Sequence, residues 1–222
     1  MTGKTHMICS TAAVAVFALG HSEGVVINGT MIYPWLSVAS AAVGAYLPDM
    51  DIQQSRLGQQ FKLLSKNMKH RGITHTLLVP VCLLACMAGM HSKAACVIVS
   101  LIIGVLTGML FDAKSTCKRG NLVKKIMTFI KNKKGLTTTV AMLVLTYLFP
   151  STGASLIFGL FAGWTLHIFE DLFNKKGCPI LWPIAKGHVH IATFKTRHWS
   201  EYVFLFLWLG GCGIWAFLIL VG

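Results

Sequence analysis

The chain has 222 residues, of which 55% are hydrophobic and only 12% charged, where a typical soluble domain carries about 25% charged residues. With a mean hydropathy of +0.66, this composition excludes an ordinary soluble domain and predicts a polytopic membrane protein. The net charge of +13 then points to anionic inner-leaflet headgroups as partners and disfavours nucleic acid, because most of the chain cannot be solvated.

Seven apolar runs follow one another, at 7–20, 31–47, 76–90, 94–111, 136–150, 154–171 and 202–221. Several are shorter than the roughly 20 residues a spanning helix needs. Either some form re-entrant hairpins, as 76–90 and 94–111 can around His91-Ser92-Lys93, or the helices extend into their polar ends. The second is expected, because those ends carry the His and Asp residues. The first run resembles a signal peptide but shows no cleavage site before Glu23, so it is expected to stay as a helix. The seven cysteines sit mostly in apolar runs without a paired framework, which predicts buried thiols and no disulfides. The expected fold class is all-α: one domain over 1–222, a membrane bundle of about seven helices.

Charge sets the topology. With seven spans, residues 1–6, 48–75, 112–135 and 172–201 share one side, which receives every Lys and Arg except Lys93. The positive-inside rule makes that side cytoplasmic, with the N-terminus on it. All acidic residues except Glu23 fall there too. Acids do not follow the positive-inside rule, so a shared cytoplasmic site is the expected reason. Segments 56–69 and 121–134 read as amphipathic helices on an anionic leaflet or as plain basic loops.

Three stretches carry the chemistry. In Leu47-Pro48-Asp49-Met50-Asp51, Pro48 ends the second helix. The two carboxylates are expected in extended chain, pointing the same way at one cation. In His70-Arg71-Gly72-Ile73-Thr74-His75, the imidazoles of His70 and His75 can converge across a turn, Thr74 can cap a helix starting near His75, and Arg71 suits a phosphate or carboxylate. In His167-Ile168-Phe169-Glu170-Asp171, His167 and Asp171 are four apart on a helix and share a face, so both can ligate one metal. Glu170, one step round, is an orienting partner or a base. His6 and Glu201 open the first and last helices at the same level and can complete a multi-metal set. His and acidic groups at a membrane boundary are costly unless paired, solvated or bound to a cation. Trp182, Trp199 and Tyr202 fit an interfacial aromatic belt.

At these residues the chain resembles the YdjM-type, LexA-regulated family of inner-membrane metal-dependent hydrolases. The shared pattern is Thr5-His6, Leu47-Pro48-Asp49-x-Asp51, His70-Arg71-Gly72-x-Thr74-His75 and His167-x-x-x-Asp171, followed by Gly177, Trp182-Pro183 and Glu201. It runs over nearly the whole chain. The chain departs from the pattern at Ile52, where the family often has His, and at Arg197-His198-Trp199-Ser200, which replaces a Gly-Ser before Glu201. His-x-x-x-Asp is also similar to an element of zinc-dependent phospholipase C enzymes. The resemblance implies a metal-dependent hydrolase of a bacterial inner membrane. Joined to the residues, it gives the expected function: a phosphoesterase acting on a lipid or lipid-linked phosphate at the inner leaflet. Its metal ligands would be His6, Asp49, Asp51, His70, His75, His167, Asp171 and Glu201. These suit zinc, or manganese where oxygen ligands dominate. Arg71 would hold a phosphoryl oxygen, and Asp49 or Glu170 would move the proton. The rival class is a non-enzymatic membrane protein, either a divalent-cation transporter or a scaffold for a cytosolic partner. Transport calls for ionisable groups near mid-bilayer, whereas these sit at one end.

Overall fold

A computed structural model describes residues 1–52, 59, 71–89, 97, 101, 137, 140–141, 144–145, 147–185 and 187–222. His70, nearly all of the segments 56–69 and 94–111, all of 121–134 and part of the run 136–150 lie outside them. The described fold is helical, as expected, with one small hairpin in addition.

Helix α1 (Gly3–Gly20) is capped by Thr2, whose Oγ1 accepts from the Thr5 N–H. The helix thus starts before its apolar run and takes His6 into its first turns. Strands β1 (Val25–Ile27) and β2 (Thr30–Ile32) follow, antiparallel, with Val25 opposite Ile32. Asn28 and Gly29 between them both have positive φ, 49° and 73°, as a two-residue hairpin loop of the Asn-Gly kind requires. The hairpin seats Ile32 in the core beside Ile157 and Leu160.

Helix α2 (Pro34–Tyr46) opens on a proline, which costs nothing where the N–H would lack a partner anyway. Pro48 stops it, but the chain does not become extended as expected. Leu47–Asp51 winds into a 3-10 turn, since proline is as tolerable at the start of such a turn as at the start of a helix. Asp49 and Asp51 therefore serve different partners. A second 3-10 turn spans Ile73–His75, and helix α3 (Leu78–Ala88) begins after it. Thr74 does not cap that helix. Thr76 Oγ1 accepts from the Leu78 N–H at 3.3 Å instead, while Thr74 is drawn to Asp51.

Helices α4 (Pro150–Leu172) and α5 (Trp199–Val221), each of 23 residues, are long and apolar enough to cross a membrane; at 1.5 Å per residue each reaches about 35 Å. Helix α4 is central. It packs most extensively on α2, through Gly159 and Gly163 on one side and Ser37, Ser40, Ala41 and Gly44 on the other. A Cβ at Gly159 would overlap Ser40 Oγ and the Ser37 carbonyl, and one at Gly163 would overlap the Ala41 carbonyl. Only glycine lets these backbones approach so closely, the usual device of helices packed in lipid. Helix α5 packs on α1, where Trp208 Nε1 donates to the Cys9 carbonyl at 3.0 Å. Most of its remaining apolar surface is exposed, Phe206, Leu207 and Leu220 among it. Trp182, Trp199 and Tyr202 are exposed as well.

Candidate metal centre

The elements bring their polar ends together. His6 comes from the start of α1, Asp49 and Asp51 from the turn after α2, Arg71 and His75 from the approach to α3, and His167, Glu170 and Asp171 from the end of α4. All eight side chains are buried.

The histidines' partners fix their tautomers. His6 Nδ1 lies 2.7 Å from Glu170 Oε2. A carboxylate oxygen only accepts, so this nitrogen carries the proton. His167 Nδ1 lies 2.7 Å from the Ala45 carbonyl and carries its proton for the same reason. His75 Nδ1 lies 3.0 Å from Thr74 Oγ1 and 3.3 Å from Asp51 Oδ2. The Thr74 hydroxyl already donates to Asp51 Oδ2 at 3.0 Å, so His75 Nδ1 is the donor there. With Nδ1 so engaged, Nε2 is the atom through which each imidazole can offer a lone pair to a cation.

Those three Nε2 atoms turn inward. His75 Nε2 and His167 Nε2 are 3.3 Å apart. His6 Nε2 is 3.5 Å from Asp171 Oδ1, and His75 Nε2 is 3.5 Å from Asp171 Oδ2. Asp49 Oδ1 is 4.0 Å from His167 Nε2. Donor atoms of His6, His167 and Asp171 lie within 4.8 Å of one another, and so do those of Asp49, His75 and His167. Two nitrogen lone pairs facing each other repel unless a proton or cation lies between them. Neighbouring donors on a tetrahedral zinc, with bonds of roughly 2.0–2.1 Å, are about 3.3 Å apart, which matches these spacings. Charge agrees. Asp49, Asp51, Glu170 and Asp171 are buried together, and among the described residues the fixed cations buried with them are Arg71 and the N-terminal ammonium of Met1, whose nitrogen lies 3.4 Å from Asp171 Oδ1. Burying such an excess of carboxylate is costly without a further cation. The donor set thus fits a divalent metal. Burial pushes the Asp49 carboxyl up from its usual range, against the pull of His6 and His75.

Arg71 acts first as a strut. Its backbone N–H donates to Asp51 Oδ2 at 2.8 Å, Nη1 donates to the Gly177 carbonyl, and Nη2 is 2.9 Å from Asp171 Oδ2. Of the guanidinium nitrogens, Nε has no partner among the described residues. Gly177 is at φ +60°, and a Cβ there would overlap the Val189 carbonyl. Beside it Cys178 is buried, with Sγ 3.9 Å from Asp171 Oδ2; burial first, then Asp171, pushes its thiol up to about 12.

Of the expected ligands, the structure brings His6, Asp49, His75, His167 and Asp171 together. Asp51 and Glu170 stand behind them as acceptors for imidazole N–H groups, an arrangement common around metal-binding histidines. Glu170 Oε1 is held by the Ser10 hydroxyl at 3.0 Å. Glu201 stands apart. Its Oε1 accepts from the Thr2 N–H and the Thr5 hydroxyl, both at 2.6 Å, and its Oε2 accepts from the Arg197 N–H at 2.7 Å. Both oxygens are engaged in tying the start of α1 to the start of α5. We expect Glu201→Ala to cost about 2 kcal/mol of stability, as for buried donors left unpaired, with the metal content unchanged; a thermal melt and elemental analysis check both. The sequence reading noted Gly177 in the shared pattern but missed Cys178, Ser10 and the Ala45 carbonyl, and the Gly159-x-x-x-Gly163 spacing that brings Ala45 to His167. That last signal was legible, as small residues four apart in an apolar run.

The model of a family described as YdjM inner membrane protein matches residues 1–122 and 135–221. The chain is similar to the uncharacterized protein YvsG of Bacillus subtilis (strain 168), 38% identical over 82 residues, which are 35% of this chain and 46% of that protein. It is similar to the inner membrane protein YdjM of Escherichia coli (strain K12), 36% identical over 89 residues, which are 38% of this chain and 44% of that one. The chain spans about half the length of the curated relatives it matches. No solved structure matches it. With the family model running nearly end to end, the chain belongs to the YdjM inner membrane protein family.

Proposed function

We propose that this protein is a multi-pass, metal-dependent hydrolase, with about seven spans, its N-terminus in the cytoplasm and its centre at the cytoplasmic end of the bundle. Its substrate class is a phosphoester of a membrane lipid or lipid-linked group. One observation carries the reading: three buried imidazoles, each with Nδ1 committed to an acceptor, direct Nε2 towards two aspartates and one another. His6, Asp49, His75, His167 and Asp171 would hold the cation, with zinc favoured by the nitrogen donors and manganese the alternative. A divalent cation held there would supply Lewis-acid chemistry towards a phosphoryl oxygen and towards water. Glu170, Asp51 and the Ala45 carbonyl keep the imidazoles turned inward, so no reorganisation accompanies the reaction. Arg71 braces Asp171 and has Nε left as a donor for a substrate oxygen. Asp49 is the carboxylate beside His167 placed to take up a proton.

The groups lie at helix ends and turns, which supports an enzyme over a transporter. In the test, the full chain in nanodiscs, stripped of metal and reloaded with zinc or manganese, is offered phospholipids and isoprenoid phosphates. Turnover that chelator removes and metal restores is expected. A protein that binds metal yet hydrolyses none of them would refute the phosphoesterase reading. One that binds no metal reverts to the scaffold alternative.

A further inference from the structure

Proximity alone would place His6 and His167 on the same cation, but the ring geometry argues otherwise. Their imidazoles lie close and tilted, with centroids 3.9 Å apart and planes inclined by 32°. A nitrogen lone pair lies in its ring plane, so a shared cation must lie near the line where the two planes meet. Two imidazoles on one tetrahedral cation, with Zn–N bonds of roughly 2.0–2.1 Å, have ring centres about 5 Å apart, and His6 and His167 are closer together than that. His75 and His167 are arranged differently. Their planes cross at 65°, edge to face, and their Nε2 atoms are 3.3 Å apart, so their lone pairs can converge at bonding distance.

Donor counting leads the same way. His167 Nδ1 is spent on the Ala45 carbonyl, so this residue has one lone pair and serves one cation. Asp171 has two oxygens turned to different sides, Oδ1 towards His6 and Oδ2 towards His75. We infer, on the basis of the hydrolase reading above, that the centre consists of two adjacent cation subsites bridged by the Asp171 carboxylate. One is made by His75, His167, Asp49 and Asp171 Oδ2, the other by His6 and Asp171 Oδ1. The first subsite has a full set of four protein donors. The second has two among the described residues, with the Met1 N-terminal nitrogen 3.4 Å from Asp171 Oδ1 beside them, so a substrate oxygen would complete it on the His6 side. Glu170 and Ser10, behind His6, are positioning residues for that second subsite alone.

The test loads the metal-free full chain in nanodiscs with Mn(II), counts bound ions by elemental analysis, and records the electron paramagnetic resonance spectrum. Two ions per chain with an exchange-coupled spectrum are expected. His6→Ala should retain one ion with the six-line spectrum of isolated Mn(II), and His6→Gln, which preserves bulk should the alanine variant fold poorly, should do the same. His167→Ala should also lose one ion. A single ion in the wild type, removed equally by His6→Ala and His167→Ala, would overturn the two-subsite arrangement while leaving the hydrolase reading intact. Two ions without spin coupling would overturn the Asp171 bridge. A wild type that takes up no ion fails at the earlier step, the metal-dependent reading itself.

Discussion

Gly163→Val is expected to be the most damaging single change outside the metal centre. A Cβ at this position would overlap the Ala41 carbonyl and crowd the Ala45 nitrogen at 2.8 Å, both backbone atoms of α2 that no rotamer change can move aside. Overpacking usually costs about 1–3 kcal/mol, and a clash with backbone belongs at the upper end. The consequence is also chemical. Ala45 supplies the carbonyl that holds His167 Nδ1 at 2.7 Å, so separating α2 from α4 releases His167 and weakens the metal centre. The variant should melt at a much lower temperature and, where it can be purified, carry less metal than the wild type. Gly210→Ala on α5 is the control. No atom lies within 4 Å of a Cβ there, and alanine is the better helix former by roughly 1 kcal/mol. Equal melting temperatures and metal contents for Gly163→Val and the wild type would show that the α2–α4 approach does not hold the centre.

How much of this was legible beforehand differs from residue to residue. The polar ends of the apolar runs marked where the site would be, because His and Asp at a membrane boundary demand a reason. That reading put His6, His167 and Asp171 at helix ends, where they lie, whereas His75 sits in a 3-10 turn ahead of α3. The i, i+4 spacing of His167 and Asp171 survives in α4, since helical periodicity is local. The division of labour among the acids was not legible. Asp49 and Asp51 are two residues apart, and whether they act together depends on the local backbone. The 3-10 turn at Leu47–Asp51 sends Asp51 to Arg71, Thr74 and His75, while Asp49 stays with His167. Glu201 looked like a ligand because it shares a membrane level with the others, but only the tertiary structure shows both its oxygens taken by backbone and hydroxyl donors from α1 and the segment before α5. The hairpin was signalled by Asn28-Gly29, a pair masked by reading the flanking residues as loop and helix.

The second large effect is expected at His167 itself. His167→Ala should reduce hydrolysis to the background level, because the residue is buried, turned by Ala45, and provides the Nε2 that stands between His75 and Asp49. Glu170 gives the graded comparison. Glu170→Gln keeps an acceptor for the His6 Nδ1–H but removes the charge, whereas Glu170→Ala removes both and leaves Ser10 without its partner. Loss of such a supporting group usually lowers metal affinity or activity by roughly 10–100-fold, so Glu170→Ala should fall in that range and Glu170→Gln above it in activity. Groups that act as one unit give strongly non-additive losses. The double variant His167→Ala with Glu170→Ala should therefore be no worse than His167→Ala alone. His21→Ala marks the other end of α1, where His21 is exposed, stacks on Phe17 and lies far along the helix from His6; it should hydrolyse at the wild-type rate. Turnover numbers measured in nanodiscs at saturating metal separate these cases. If His167→Ala retained full turnover while His21→Ala lost it, the chemistry would lie at the opposite end of the bundle from the imidazole cluster.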